Sequence, residues 1–292
     1  MNTSVKAILS LSFVAIVFVT VLMIFAPVFY NVSASEKCKQ TQSESVRLPC
    51  IMYHSVLKSR QGKYIVSPTQ LENDLSALKQ RGFTAVTSQQ LIDFVDGNGT
   101  LPPKPILITF DDGHYNNLFY AEPLLAKYDM HAVINIIGRF TEYSSESGDS
   151  DNPNYSHVTW QEVGQLAARG VFEIGNHTYN MHNYSPRFGA SRRNNESDEQ
   201  YAAALTADVG KVQKCIFLQT QQHCAVFAYP FGKYSKLSEA TLRGMGFRIT
   251  LTCNEGVSVV TANRPETLYL IKRVNRSGLY DTATLLRKLG CE

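Results

Sequence analysis

The sequence predicts an α/β fold in which a parallel sheet closes into a barrel of about seven βα units. Three observations carry this. From Leu48 onward, short apolar runs alternate with segments of helical pattern, which is how βαβ units read in sequence. The alternation persists over about 245 residues without an internal repeat, a length that favours one barrel over two domains. The chain has 292 residues, of which 44% are hydrophobic and 18% charged, enough apolar mass for a large core.

The elements follow in order. Residues Ala7 to Tyr30 hold no charged side chain, and Lys6 precedes them. As a helix rising about 1.5 Å per residue, this stretch would span the roughly 30 Å hydrocarbon core of a bilayer. It reads either as an uncleaved anchor or as a secretory signal cleaved at the small-residue site Val32-Ser33-Ala34. Residues 1–34 are therefore expected to be a signal peptide or membrane anchor. Both readings put the remainder at the extracellular face of the membrane or free outside the cell. Residues 35–46 are polar and read as a linker, and residues 47–292 form the folded domain.

Pro49-Cys50-Ile51-Met52-Tyr53 is the first strand. Ser67 caps a helix with Pro68 at its first position, and this helix ends near Gly82. Phe83 to Thr87 is a strand, and Ser88 opens the next helix. Pro105 to Phe110 is a buried strand, Asn117 to Tyr128 a helix, and His131 to Ile137 a strand. Thr159 to Arg169 is helical and Val171 to Ile174 extended. A long helix covers about Asp198 to Leu218. Ala225 to Tyr229, Phe247 to Thr252 and Leu268 to Ile271 read as strands, and Ser235 to Met245 and Thr282 to Leu289 as helices. Two polar stretches, 140–157 and 183–199, read as long loops, which in compact domains often carry function.

Six cysteines (Cys38, Cys50, Cys215, Cys224, Cys253, Cys291) include no C-x-x-C pair. In an exported chain an even count allows three disulfides, with Cys215 and Cys224 the expected local pair; six buried free thiols are the alternative. The net charge of +3 is small and no Lys/Arg run stands out. Nucleic acid is therefore not an expected partner.

The chemistry gathers at strand ends. Thr109-Phe110-Asp111-Asp112-Gly113 places two carboxylates after the Pro105–Phe110 strand, at the C-terminal end where α/β barrels keep their sites. Ile174-Gly175-Asn176-His177-Thr178-Tyr179-Asn180-Met181-His182 places two histidines after another strand. Their spacing of five puts them on different sides of any helix, so they converge only through a loop, which the Thr178 hydroxyl is placed to brace. One carboxylate and two imidazoles are a common divalent-metal set with open positions. The second carboxylate is then free to act as a base, and the pattern points to a metal-dependent hydrolase. His54 ends the first strand and faces the same mouth, as a general acid or a rim residue. Tyr229-Pro230-Phe231-Gly232 closes a further strand, where backbone N–H groups face a developing oxyanion or merely make a proline turn. Arg273 follows the last predicted strand and orients a carboxylate or is one more surface cation.

The paired motifs resemble the polysaccharide deacetylases with a NodB homology domain, carbohydrate esterase family 4, over about Pro49 to Arg276. The resemblance implies a distorted (β/α) barrel and a hydrolase that removes N-acetyl groups from a polysaccharide. It implies Asp111 as base and Asp112, His177 and His182 as ligands of a divalent metal, zinc being the expected ion. The five-residue histidine spacing, with Met52-Tyr53-His54 upstream, looks most like the poly-N-acetylglucosamine deacetylases, in which a histidine matching His54 serves as general acid. The family's Arg-x-Pro-Tyr motif stands here as Ala228-Tyr229-Pro230-Phe231, without its arginine. Arg273 is the candidate replacement, and the late Asp-Trp and Leu-x-x-His motifs are not evident. Peptidoglycan, poly-N-acetylglucosamine and chitin oligomers all fit as substrate. The rival readings are a hydrolase of another amide or ester, and a non-catalytic glycan-binding surface protein, which would have no use for a base beside a metal.

Overall fold

The computed structural model describes residues 44–148 and 150–292. The expected anchor or signal, the linker up to residue 43 and Cys38 lie outside the described residues. In chain order the strands are β1 (Ser45–Leu48), β2 (Cys50–Tyr53), β3 (Ser55–Val56), β4 (Ile65–Val66), β5 (Thr84–Ala85), β6 (Pro105–Phe110), β7 (Ala132–Ile136), β8 (Phe172–Asn176), β9 (Val226–Ala228), β10 (Ile249–Leu251), β11 (Ser258–Thr261) and β12 (Val274–Asn275).

Strands such as β6 and β7 are buried at every position, so they need cover on both faces, as in parallel sheets. The main sheet is parallel in the order β10–β9–β8–β7–β6–β2–β12, with β5 beside the first residues of β6. Its two edges are joined by the segment before β12. The Ile271 N–H donates to Thr250 O (2.8 Å), and the Thr252 N–H donates to Ile271 O (3.0 Å). β12 itself pairs with β2. The result is a distorted (β/α) barrel.

Alternation along the strands sorts their side chains. Ile106, Ile108, Phe110, Ile134, Ile136, Phe172 and Ile174 pack with the helices in the larger core. Leu48, Cys50, Leu107, Val133, Val226, Ala228, Ile249 and Leu251 meet inside the barrel. The helix Ser88–Val95 covers this inner core with Leu91, Phe94 and Val95. The next residues on the inner face are polar: Thr109, Asp111, Asn135 and His177. The functional site begins there.

The helices start where their capping residues allow. Capping boxes pair Ser67 with Gln70, Thr87 with Gln90, Thr159 with Glu162 and Ser197 with Gln200, each satisfying otherwise orphaned N–H groups. The long helix Asp198–Thr220 buries Tyr201, Leu205, Val209, Val212 and Ile216. That spacing keeps one apolar stripe inward.

Several expectations need correction. Leu268–Ile271 is not a strand. Pro265–Leu268 is a 3-10 turn, and Leu270 takes a positive φ of 60°, which breaks an extended run; the strand comes later, as β12. The stretch 140–157 is not all loop, because Gly138–Ser147 is helical. Its mostly polar surface hides the apolar periodicity that would have revealed it. Ser45 and Val46, assigned to the linker, lie in β1, which pairs antiparallel with β11. The folded unit thus runs from Ser45 to Glu292. The Cys215–Cys224 disulfide is absent: among the described residues Cys50, Cys215, Cys224, Cys253 and Cys291 are all free. The Cys224 thiol instead points into the core between the carbonyls of Ile174 and Val226, each 3.2 Å away. No helix among the described residues is long and apolar enough to cross a membrane.

Candidate metal centre and base

The end of β6 supplies both carboxylates and separates their roles. Asp111 continues the strand, its N–H donating to Tyr53 O (2.9 Å), and so points into the barrel. Asp112 and Gly113 then both adopt positive φ, 74° and 72°. Asp tolerates this conformation better than most residues, and the resulting turn swings its carboxylate toward the next strand ends.

His177 leaves β8 with its N–H donating to Ile136 O (3.0 Å). The loop after it is braced twice: the Thr178 N–H donates to Asn176 Oδ1 (2.9 Å), and the Met181 N–H donates to Thr178 Oγ1 (3.2 Å). Thr178 also takes a positive φ of 72°. The loop brings His182 back so that the two imidazole centroids lie 5.0 Å apart. The Nε2 atoms of His177 and His182 stand 3.6 and 3.5 Å from Asp112 Oδ1. The three ligand atoms lie within 4.8 Å of one another.

The residues fit a divalent cation. His177 Nδ1 lies 2.7 Å from Ala228 O; a carbonyl only accepts, so the proton sits on Nδ1 and the Nε2 lone pair faces Asp112. Burial lowers the His177 pKa to about 4, keeping the ring neutral at neutral pH. Asp112 Oδ1 is buried with no hydrogen-bond partner. An acceptor surrounded by acceptors is satisfied by a cation. Burial works to raise the Asp112 pKa, yet His114, His54 and His177 hold it below the usual carboxylate range.

Asp111 is built differently. Arg273, fully buried, grips it with two bonds, Nη1 to Oδ1 and Nη2 to Oδ2, each 2.8 Å. Two further guanidinium donors go to Thr109 Oγ1 (3.1 Å) and Thr252 O (2.8 Å). Asn135 Nδ2 donates to Asp111 Oδ1 (2.8 Å). Burial pushes this carboxyl upward, but the Arg273 charge prevails and holds its pKa at about 2.

A cleft of about 1030 Å³ opens over these groups. Its lining includes His54, Asp111, Asp112, His177, His182, Phe231 and Arg273. His54 has a buried Nδ1 without a partner, and its ring lies 4.7 Å from that of Tyr64. Burial lowers its pKa, against the pull of Asp112 and Asp111. Of the turn after β9, only Phe231 lines the cleft, with its ring 4.4 Å from His182. Pro230 is buried, and the Tyr229 hydroxyl turns away to donate to Glu239 Oε2 (2.8 Å).

Sequence reasoning missed three contributors. Asn135 is a lone amide in the apolar run Ala132–Ile136, and that oddity was its signal. Thr109 precedes the carboxylate pair by one alternation. His114 Nε2 lies 3.6 Å from Asp112 Oδ2, and its nearness in sequence to the ligand was its only sign.

The polysaccharide deacetylase family model matches residues 98–250, just over half of the chain. The poly-β-1,6-N-acetyl-D-glucosamine N-deacetylase of Escherichia coli K12 is 22% identical over 212 residues, covering 66% of this chain and 31% of that protein. The chain thus spans about a third of the length of that relative. The Staphylococcus aureus MRSA252 protein of the same name is 25% identical over 213 residues, covering 72% of this chain and 67% of the relative. Among solved structures, IcaB from Ammonifex degensii superposes with a TM-score of 0.68 at 23% identity, covering 83% of this chain and 97% of its own. The Streptococcus pyogenes deacetylase PplD, solved with acetate, gives 0.67 at 20% identity, covering 84% and 99%. These likenesses show the fold.

Proposed function

This chain belongs to the polysaccharide deacetylase family, and from that premise we propose that it hydrolyses N-acetyl groups on a cell-surface or cell-wall polysaccharide, releasing acetate. One observation carries the reading. A buried carboxylate gripped by an arginine, Asp111, sits beside a triad of ligand atoms whose central oxygen has no other partner. A binding protein has no use for that pairing.

Asp112, His177 and His182 would hold a divalent ion, zinc being the expected one. When bound, it supplies Lewis acidity toward the acetyl carbonyl and the attacking water. Asp111 takes the water proton. With a pKa near 2 it is ionised throughout the physiological range, and it is a weak base that relieves only a strongly acidified water. That is why it belongs beside the ligand set. Arg273 and Asn135 fix its orientation, so the proton acceptor is preorganised. The Phe231 backbone N–H stabilises the developing oxyanion, with Tyr229 and Pro230 setting the turn that presents it. His54 gives a proton to the departing nitrogen as the C–N bond breaks. The proton that Asp111 takes from water is the one that recharges His54, and because burial lowers the His54 pKa the ring passes it on readily to an amine, which is far more basic. The products are acetate and a free amino sugar.

The polymer named for the relatives, β-1,6-linked N-acetylglucosamine, is the first substrate to test. With residues 1–34 serving as signal or anchor, the enzyme would meet such a polymer outside the cytoplasm. The experiment is acetate release over a panel of β-1,6-N-acetylglucosamine oligomers, chitin oligomers and peptidoglycan. Release from one of them, lost on chelation and restored by zinc, is the expected result. No release from any of them by protein at full metal stoichiometry would overturn the reading.

A further inference from the structure

The loop that follows His182 holds two aromatic rings in water beside the metal centre. Tyr184 is 76% exposed and Phe188 40% exposed. With Phe231 they make a mutually stacked group. Tyr184 and Phe231 have centroids 4.6 Å apart at 24°, Phe188 and Phe231 5.2 Å at 28°, and Tyr184 and Phe188 5.6 Å at 22°. Phe231 in turn contacts His182, so the shelf begins at a ligand of the candidate metal centre. Lys233 Nζ stands 5.0 Å from the Phe188 centroid.

The loop beneath this shelf is firmly built. Arg187 is buried and grips Glu196 through two bonds (2.9 and 2.6 Å), while also donating to Ser191 O (2.6 Å). Its guanidinium lies 5.6 Å from the Tyr201 ring centroid. The Gly189 N–H donates to Asn183 O (2.9 Å). Gly189 has a φ of +56° and sits so close to the other wall that an added Cβ would lie 2.6 Å from Pro230 O. An ion pair on a buried arginine and a close backbone approach therefore hold the loop against the Pro230–Phe231 turn. Rings that served only to pack this loop would be covered; these are held out in solvent, where a contiguous apolar surface marks a binding site.

We propose that Tyr184, Phe188 and Phe231 form a sugar-stacking subsite. It holds the polymer residue adjacent to the one whose acetyl group reaches the metal centre. The inference rests on the deacetylase reading and adds to it a determinant of substrate length. A pyranose ring presents a face of C–H groups that is apolar and slightly positive, complementary to the negative face of an aromatic ring. Its hydroxyls stay at the rim, where Lys233 and the Tyr184 hydroxyl are available. The exposure suits a chain lying across an open cleft rather than a small molecule enclosed in it.

The test is steady-state acetate release from N-acetylglucosamine and its β-1,6-linked oligomers, from monomer to pentamer, with calorimetric binding of the pentamer measured in parallel. Tyr184→Ala and Phe188→Ala should raise KM for the pentamer about tenfold, from the lost ring contact and its buried area. The loss should be absent for the monomer, which cannot fill the subsite, appear from the dimer onward, fall on KM rather than kcat, and be rescued in Tyr184→Phe. An equal loss at every length, or loss of bound metal in the variants, would show that the loop merely supports the centre and would overturn the inference. So would an unchanged KM. If the wild type releases no acetate from any oligomer, it is the deacetylase reading that fails. Calorimetry then decides for the shelf: pentamer binding weakened by Tyr184→Ala supports it, and absence of binding overturns it.

Discussion

Removing the guanidinium with Arg273→Ala should reveal what it does for Asp111, through a change that depends on pH. The substitution strips two 2.8 Å charge-assisted bonds from a fully buried carboxylate. Breaking a buried ion pair by deleting one partner costs about 3–5 kcal/mol, because the other charge is left uncompensated. The carboxylate has an alternative, which is to bind a proton. In the wild type its pKa lies at about 2, below the ordinary value near 3.9. Its contribution to stability is therefore present above pH 4 and lost as pH falls toward 2. In the variant, burial acts without Arg273 to oppose it and lifts the pKa above the ordinary value, so the sign reverses. The variant is destabilised at neutral pH and relieved as pH falls through the raised pKa. Urea unfolding of metal-free protein at pH 7, 5 and 4 reads this directly. The gap between wild type and variant should be full at pH 7 and narrow steadily on acidification. A gap that stays the same at all three pH values would refute the argument that Arg273 stabilises the charged form of Asp111.

Other expectations follow from the same geometry. Asp111→Asn keeps the size of the side chain and the metal but loses the proton acceptor; turnover should fall roughly 10²-fold or more with KM nearly unchanged, and near-normal turnover at full metal occupancy would remove Asp111 as base. His177→Ala and Asp112→Ala should each lose most bound metal by elemental analysis, whereas full stoichiometry in both would end the metal reading. Burial lowers the His177 pKa to about 4, so this ligand stays available on acidification, and stability linked to its neutral form is present above about pH 6.5 and lost toward pH 4. Gly175→Ala should place a methyl group onto the Asn135 amide, displacing a donor to Asp111; a large loss of turnover with metal retained is expected, and wild-type turnover would show that the Asn135 bond is dispensable.

Periodicity made the barrel legible, because most of its elements are regular enough to leave a pattern. Pro105–Phe110 and Asp198–Thr220 could be read directly, one from continuous burial and the other from its capping residue and apolar stripe. The carboxylate pair and the two histidines were legible as residue types following strands. Their convergence was not, since it depends on positive φ at Asp112 and Thr178, which the sequence does not announce. Asn135 and Arg273 reach Asp111 through strand order alone, and no local signal gives strand order. Leu268–Ile271 misled for the same reason: an apolar run there looks extended, while Leu270 turns in the left-handed region. The Cys215–Cys224 pairing was inferred from nearness along the chain, which says nothing about where a thiol points.

The segment that joins the edges of the sheet also carries Arg273, and this gives the site a direction in time. Asp112, His177 and His182 all precede it, so a chain emerging from its N-terminus has all three proposed metal ligands before the segment that closes the barrel. The group that aims Asp111 arrives only with the closing segment. A chain ending before Arg273 would carry all three proposed ligands and lack the group that grips Asp111, so those three residues alone do not complete the site.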